Sequence, residues 1–133
     1  MPTFDTKDAA RQWVWSTLRE EGIARFPFPV EGRIPNFAGA EEAAATLVDA
    51  GAFEGVDTLK ANPDSPQKFV RELALRHGIT VFVPTPRLKG GFHCFDPDAI
   101  PEQHYEDASM LSRWEPWAES VALDDIPQMD LIV

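Results

Sequence analysis

Ile79-Thr80-Val81-Phe82-Val83 constrains the fold more than any other stretch: it is β-branched and apolar throughout, the pattern of a strand covered on both faces. Ahead of it, Ser65 as N-cap, Pro66 at the first helical position and Gly78 as a stop predict a helix. Val56 to Ala61 has the makings of a short strand. Strand, helix and strand within about thirty residues make a βαβ unit, with two parallel and commonly adjacent strands. An α/β fold follows. Ligands of open parallel sheets bind beyond the carboxyl ends of the strands, and the segments leaving those ends are Asn62-Pro63-Asp64 and Pro84-Thr85-Pro86-Arg87-Leu88-Lys89-Gly90-Gly91. Both face one edge. The second carries two cations, a hydroxyl and a Gly pair whose backbone can approach a ligand closely; its plainer reading is a proline turn in which Arg87 pairs with an acid.

Before this unit, Asp5 to Gly22 reads as a helix, with Asp5 or Thr6 as N-cap and Gly22 as the left-handed stop. Its apolar face is Ala10, Trp13 or Val14, and Leu18. Lys7 and Arg11, four apart, stand on one face. Cations in a first turn oppose the helix macrodipole by about 0.3–1 kcal/mol each, so they are misplaced unless an anion is held there or Asp8 compensates them. Arg25 to Phe37 follows, with three prolines that favour a stiff, extended connector. It pairs aromatics that want burial (Phe26, Phe28, Phe37) with two permanently charged guanidinium groups (Arg25, Arg33). That suits a ligand wall, although composition alone favours a strap over the core. Ala40 to Ala50, closed by Gly51, predicts a second helix.

Past Gly91 the pattern is less regular. Phe92 to Phe95 reads as a short strand, Asp96 to Tyr105 as a loop, and Asp107 to Trp117 as a helical segment broken by Pro116. Val121 to Leu123 and Asp130 to Val133 read as two further strands, the last of them cut short.

The 133 residues fit one domain, and no apolar run reaches the length of a membrane span or a signal-peptide core, so a soluble cytoplasmic protein is expected. The net charge of −10 is uneven: residues 1–89 carry 11 of the 12 Lys and Arg, while residues 90–133 carry one base against ten acids. The acidic last third argues against a nucleic-acid partner, and the nearly balanced first part leaves room for a local basic site. Cys94 is the only cysteine, and His77, His93 and His104 have no ligand spacing, so no metal site is expected. No Gly-x-Ser-x-Gly, Walker-type loop, Gly-x-Gly-x-x-Gly or His-Glu-x-x-His is present, and no catalytic residue is assigned.

Five strings in this order carry a resemblance: Lys7-x-x-x-Arg11; Arg25-Phe26-Pro27 through Gly32-Arg33-Ile34-Pro35-Asn36-Phe37; Asn62-Pro63-Asp64-x-Pro66-Gln67; Val83-Pro84-Thr85-Pro86-Arg87-Leu88; and Ile126-Pro127-x-x-Asp130-Leu131-Ile132-Val133. With them the chain resembles the N-terminal part of the 5-formyltetrahydrofolate cyclo-ligase (methenyltetrahydrofolate synthetase) family. It is most similar to the branch with the archaeal and synthetase-domain-containing members. The resemblance implies a three-layer α/β/α fold with a mostly parallel sheet, of the NagB/RpiA/CoA-transferase type. It implies ATP- and Mg²⁺-dependent closure of 5-formyltetrahydrofolate to 5,10-methenyltetrahydrofolate, with ADP and phosphate released. It places Lys7 and Arg11 at the ATP phosphates, and Asp64, Arg87, Arg33 and Phe37 at the reduced folate. Family members continue past the last strand into a Gly-rich ATP loop that lies beyond this sequence, so the expected unit is a single domain truncated at its C-terminus. Two functions stay open: the ligase, or a non-catalytic nucleotide- or folate-binding module derived from it.

Overall fold

Thr6 opens the first helix, α1 (Lys7–Glu20), with its hydroxyl accepting the Ala9 N–H at 3.1 Å, and Gly22 ends the turn beyond it at φ +69°. The computed structural model of the chain describes residues 2–133 and divides into two compact units, Met1–Ala40 and Glu41–Val133.

In the first unit, α1 buries Leu18 and leaves Trp13 and Val14 exposed, so the inward aromatic is the half-buried Trp15. The proline-rich segment is not the extended connector expected. It doubles back, so that β1 (Ala24–Arg25) pairs antiparallel with β2 (Asn36–Phe37), Ala24 opposite Phe37. The Phe26-Pro27 and Phe28-Pro29 peptide bonds are cis, and Gly32 takes φ +76° between the two arms, a conformation that a side chain disfavours. Phe26 and Phe28 are 78% and 60% exposed, against the burial expected of them.

In the second unit, α2 (Ala40–Asp49) leads to β3 (Thr58–Lys60), α3 (Lys68–Arg76) and β4 (Thr80–Pro84). This is the expected strand, helix, strand unit: β3 and β4 are adjacent and parallel, with Leu59 beside Val81. Next come β5 (Phe92–Phe95), α4 (Tyr105–Ser109), β6 (Glu119–Val121) and β7 (Leu131–Ile132). The sheet order is β6-β5-β4-β3-β7, with β3 parallel to β4 and β7, while β5 runs antiparallel to β4 and β6. The sheet is therefore mixed and not mostly parallel. The link from β4 to β5 is too short for a crossover and can only return the chain antiparallel.

Gly91 sits in that link at φ +74°, where a Cβ would fall 2.2 Å from the Val121 carbonyl oxygen, so only glycine lets β5 approach β6. The core gathers Leu59, Val81, Val83 and Phe95 from the sheet with Val70, Ala74 and Leu75 of α3, Ala108 of α4, and Trp114. At the other end of the sheet Asp130 fastens β7: its Oδ2 accepts the N–H groups of Asp57 (2.9 Å) and Thr58 (3.2 Å). Those two donors hold the Asp130 carboxyl below the usual carboxylate range. No helix among the described residues is long and apolar enough to cross a membrane.

Candidate functional site

Each unit carries one cluster of candidate residues. In the first, Asp8, Arg11 and Trp15 are spaced three and four apart on α1 and so share one helical face. Together with Ala10 and Val14 they form one wall of an open groove of about 740 Å³, whose other wall is Gly32, Arg33, Ile34 and Pro35 of the doubled-back segment. Two contacts clip the walls together. The Trp15 indole N–H donates to the Arg33 carbonyl oxygen at 3.3 Å, and one turn further on Arg19 pairs with Glu31. The groove is thus lined by apolar Trp15, Val14 and Ile34, with Arg11 and the acidic Asp8 on one wall and Arg33 on the other. Such a lining suits a flat ligand with an anionic end.

Arg11 and Arg33, singled out separately in the sequence, meet in this groove. Lys7 lies exposed one turn earlier on α1, and Phe37 is half-buried in β2; neither lines it. Among the described residues Lys7, Arg11 and Arg33 form no ion pair, with Asp8 or any other acid. Asp8 and Trp15 were missed as groove residues because the fold-back that supplies the opposite wall is not written in the helix pattern.

The second cluster lies at the carboxyl ends of β3 and β4, the edge the βαβ geometry predicts. Asp64 follows β3, and its Oδ1 accepts the Gln67 N–H at 3.1 Å. The turn into α3 is therefore closed by Asp64 and not by Ser65, and the helix starts at Lys68. A carboxylate at this turn also matches the dipole of the helix that follows. Gln67 answers with its side chain, whose Oε1 accepts the Asn62 N–H at 2.8 Å. Lys60, half-buried on β3, donates to Asn62 Oδ1 at 2.7 Å.

After β4, Thr85 Oγ donates to the Gly91 carbonyl (2.9 Å) and accepts the Gly90 N–H (3.0 Å), tying off a loop with Arg87 and Lys89 at its exposed tip. Arg87 and Leu88 both take left-handed φ, +55° and +57°. Such angles are costly for residues with a Cβ. Neither Arg87 nor Lys89 forms an ion pair among the described residues, so the acid-paired proline turn is not what the structure holds.

Arg71 was not legible as a site residue. It is 2% exposed on α3, and burial lowers its pKa to about 10, opposed by the charge of Asp64. Its signal was present all the same: Arg71 falls on the stripe of Ala74 and Leu75, a charge at core spacing. Lys60 is the corresponding case on a strand, a cation within an otherwise ordinary three-residue run. Among the described residues no group of three or more His, Cys, Asp or Glu gathers to hold a metal ion.

Against known proteins, the chain is similar to curated proteins named methenyltetrahydrofolate synthase domain-containing protein. It is 34% identical to that of Danio rerio over 131 residues, which is 97% of this chain and 34% of the relative. It is 45% identical to that of Mus musculus and 38% to that of Homo sapiens, each over 86 residues, 65% of this chain and 23% and 22% of those relatives. The chain thus spans between about a fifth and a third of the length of the curated relatives it matches. No family model and no solved structure matches it.

Proposed function

Since the chain belongs to the family of methenyltetrahydrofolate synthase domain-containing proteins, we propose that it carries residues that bind ATP and a reduced folate. In this reading Lys7 and Arg11 meet the ATP phosphates, and Arg33, Phe37, Asp64 and Arg87 meet the folate. The observation that carries it is the pairing of Arg11 and Arg33 on opposite walls of one groove, with no carboxylate paired to either. An exposed cation held beside an apolar wall without a partner is suited to a ligand anion. The finer fold reading, a three-layer α/β/α arrangement of the NagB/RpiA/CoA-transferase type, belongs to the same proposal.

The reaction proposed is closure of 5-formyltetrahydrofolate to 5,10-methenyltetrahydrofolate. The formyl oxygen takes the γ-phosphoryl group, N10 attacks the activated carbon, and phosphate leaves with ADP as the other product. Charge spreads over the phosphoryl oxygens in such a transfer, and cations held in place beforehand are the main catalytic device. Lys7 and Arg11 would supply them. Magnesium would arrive with the nucleotide, a cation commonly held by phosphate oxygens and water. A cytoplasmic setting is part of this reading.

The alternative reading is a non-catalytic nucleotide- or folate-binding module derived from the same family. One experiment separates the two. The purified chain is given Mg-ATP and 5-formyltetrahydrofolate and the methenyl product is followed optically, with circular dichroism on the same samples. ATP-dependent product means the ligase. A folded chain that binds either ligand without turnover means the module, and a folded chain that binds neither removes both.

A further inference from the structure

The groove of the first unit holds one charge that an anion alone leaves unused. Asp8 lines it beside Arg11, and both side chains are exposed. Opposite charges three apart on a helix have Cβ atoms about 5–6 Å from one another and commonly pair. Here they stay apart: among the described residues neither Asp8 nor Arg11 forms an ion pair. A carboxylate and a guanidinium thus stand side by side on one wall, each free for a group of the opposite sign.

Asp8 also lies in the first turn of α1, where an acid suits the helix dipole. That explains an acid at this end of the helix, but not an acid in the wall of an apolar groove. The helical rise orders the wall: Asp8 first, Arg11 about 4.5 Å further along the axis, and Trp15 about 6 Å beyond that. The contacts that clip the two walls, Trp15 to the Arg33 carbonyl and Arg19 to Glu31, lie at the Trp15 end. A flat apolar body is therefore best placed at that clipped end, against Trp15 and Ile34, with its polar end at Arg11 and Asp8.

We propose that this groove takes a small zwitterion: a flat apolar body whose carboxylate is met by Arg11 and Arg33 and whose neighbouring ammonium is met by Asp8. A plain anion would bring its charge against Asp8, and a plain cation would face two guanidinium groups, so the wall discriminates against both. The volume of about 740 Å³ leaves room for a body larger than one aromatic ring. The inference shares the groove with the reading above but does not draw on its ligands.

The test uses three probes with the same ring: L-phenylalanine, 3-phenylpropionate, which lacks the ammonium, and 2-phenylethylamine, which lacks the carboxylate. Each is titrated into wild type, Asp8→Asn and Arg33→Gln, and the NMR shift of the Trp15 indole N–H, assigned with Trp15→Phe, reports occupancy. Wild type is expected to bind phenylalanine roughly fivefold or more tighter than either other probe, the scale of one partly exposed ion pair. In Asp8→Asn phenylalanine should fall to the level of 3-phenylpropionate, whose own affinity should not fall. In Arg33→Gln the advantage of phenylalanine over 2-phenylethylamine should shrink.

Equal wild-type affinities for the three probes, or no shift of the Trp15 indole with any of them, overturn the inference. So does an Asp8→Asn variant that weakens phenylalanine and 3-phenylpropionate alike, the result expected if Asp8 serves only the helix end. Should Asp8→Asn fail to fold, the three-probe comparison in wild type and the Arg33→Gln arm decide. A wild-type chain that binds Mg-ATP yet treats the three probes alike removes this inference and leaves the reading above standing.

Discussion

The two units put their basic residues to different uses. In residues 41–133, Lys68, Arg76 and Arg113 are paired with acids and Arg71 is sunk among carbonyls, with Arg87 and Lys89 left exposed and unpaired at one loop tip. Among the described residues of 1–40, Lys7, Arg11 and Arg33 stand exposed and unpaired, and only Arg19 makes an ion pair, with Glu31. The apolar side chains follow the same division. Leu59, Leu75, Val81 and Val83 of the second unit are each 1% exposed or less, whereas α1 buries Leu18 alone and the first unit shows Phe26 and Phe28 to solvent. The difference teaches where to look for each property: stability in the sheet and α3, and ligand chemistry in the charges the fold does not consume.

The largest change should come from the sheet. Leu59→Ala, at a fully buried position in β3, is expected to cost about 2–5 kcal/mol in urea or guanidinium unfolding, whereas Leu18→Ala, on a helix with one buried residue, should cost less. Equal losses would erase the contrast. Gly91→Ala comes next: its Cβ would meet the Val121 carbonyl, so an overpacking cost of about 1–3 kcal/mol is expected, with fewer protected amides on β6.

Asp130 gives a smaller, pH-dependent effect. Its folded pKa lies below the ordinary value, so its hold on Asp57 and Thr58 is fully present above about pH 4 and is lost as pH falls below that. The stability gap between wild type and Asp130→Asn should therefore narrow as pH falls below about 4, the ordinary carboxylate value. A gap that widens on acidification would contradict this clamp. Least of all, burial together with Glu119 and Asp96 pushes the Cys94 thiol up to about 11, so alkylation at pH 8 should be slow in the folded chain and fast once it is unfolded. Fast labelling of the native chain would mean that β5 is far more open than described.

Much of the second unit was legible in the residues. The β-branched run at Ile79–Val83, the turn at Asn62–Pro66 and the stop at Gly78 fixed two parallel strands and the helix between them, because each local preference pointed the same way. The candidate loops at one sheet edge followed from that topology. Asp64 in place of Ser65 at the turn was a choice between two good caps, which local preference does not decide. Arg71 was hidden because a charge on a helix is ordinarily solvated; only its position on the stripe of Ala74 and Leu75 marked it.

The first unit was read less well, for a physical reason. Prolines restrict φ but do not dictate the overall path, so the same string suits an extended strap or a fold-back. What selects the fold-back is distant: Trp15 donating to Arg33, Arg19 paired with Glu31, and Ile23 accepting the Ala38 N–H at 2.8 Å. The groove exists only once those contacts form, which is why Arg11 and Arg33 could be singled out but not joined.

The most direct test of the claim that these free cations are ligand residues is calorimetric binding of Mg-ATP to the wild-type chain and to Lys7→Ala/Arg11→Ala, with a thermal melt of each. Exposed, unpaired side chains should leave stability within about 0.5 kcal/mol, while affinity should fall by roughly tenfold or more. A folded double variant that binds Mg-ATP as tightly as wild type would contradict the account.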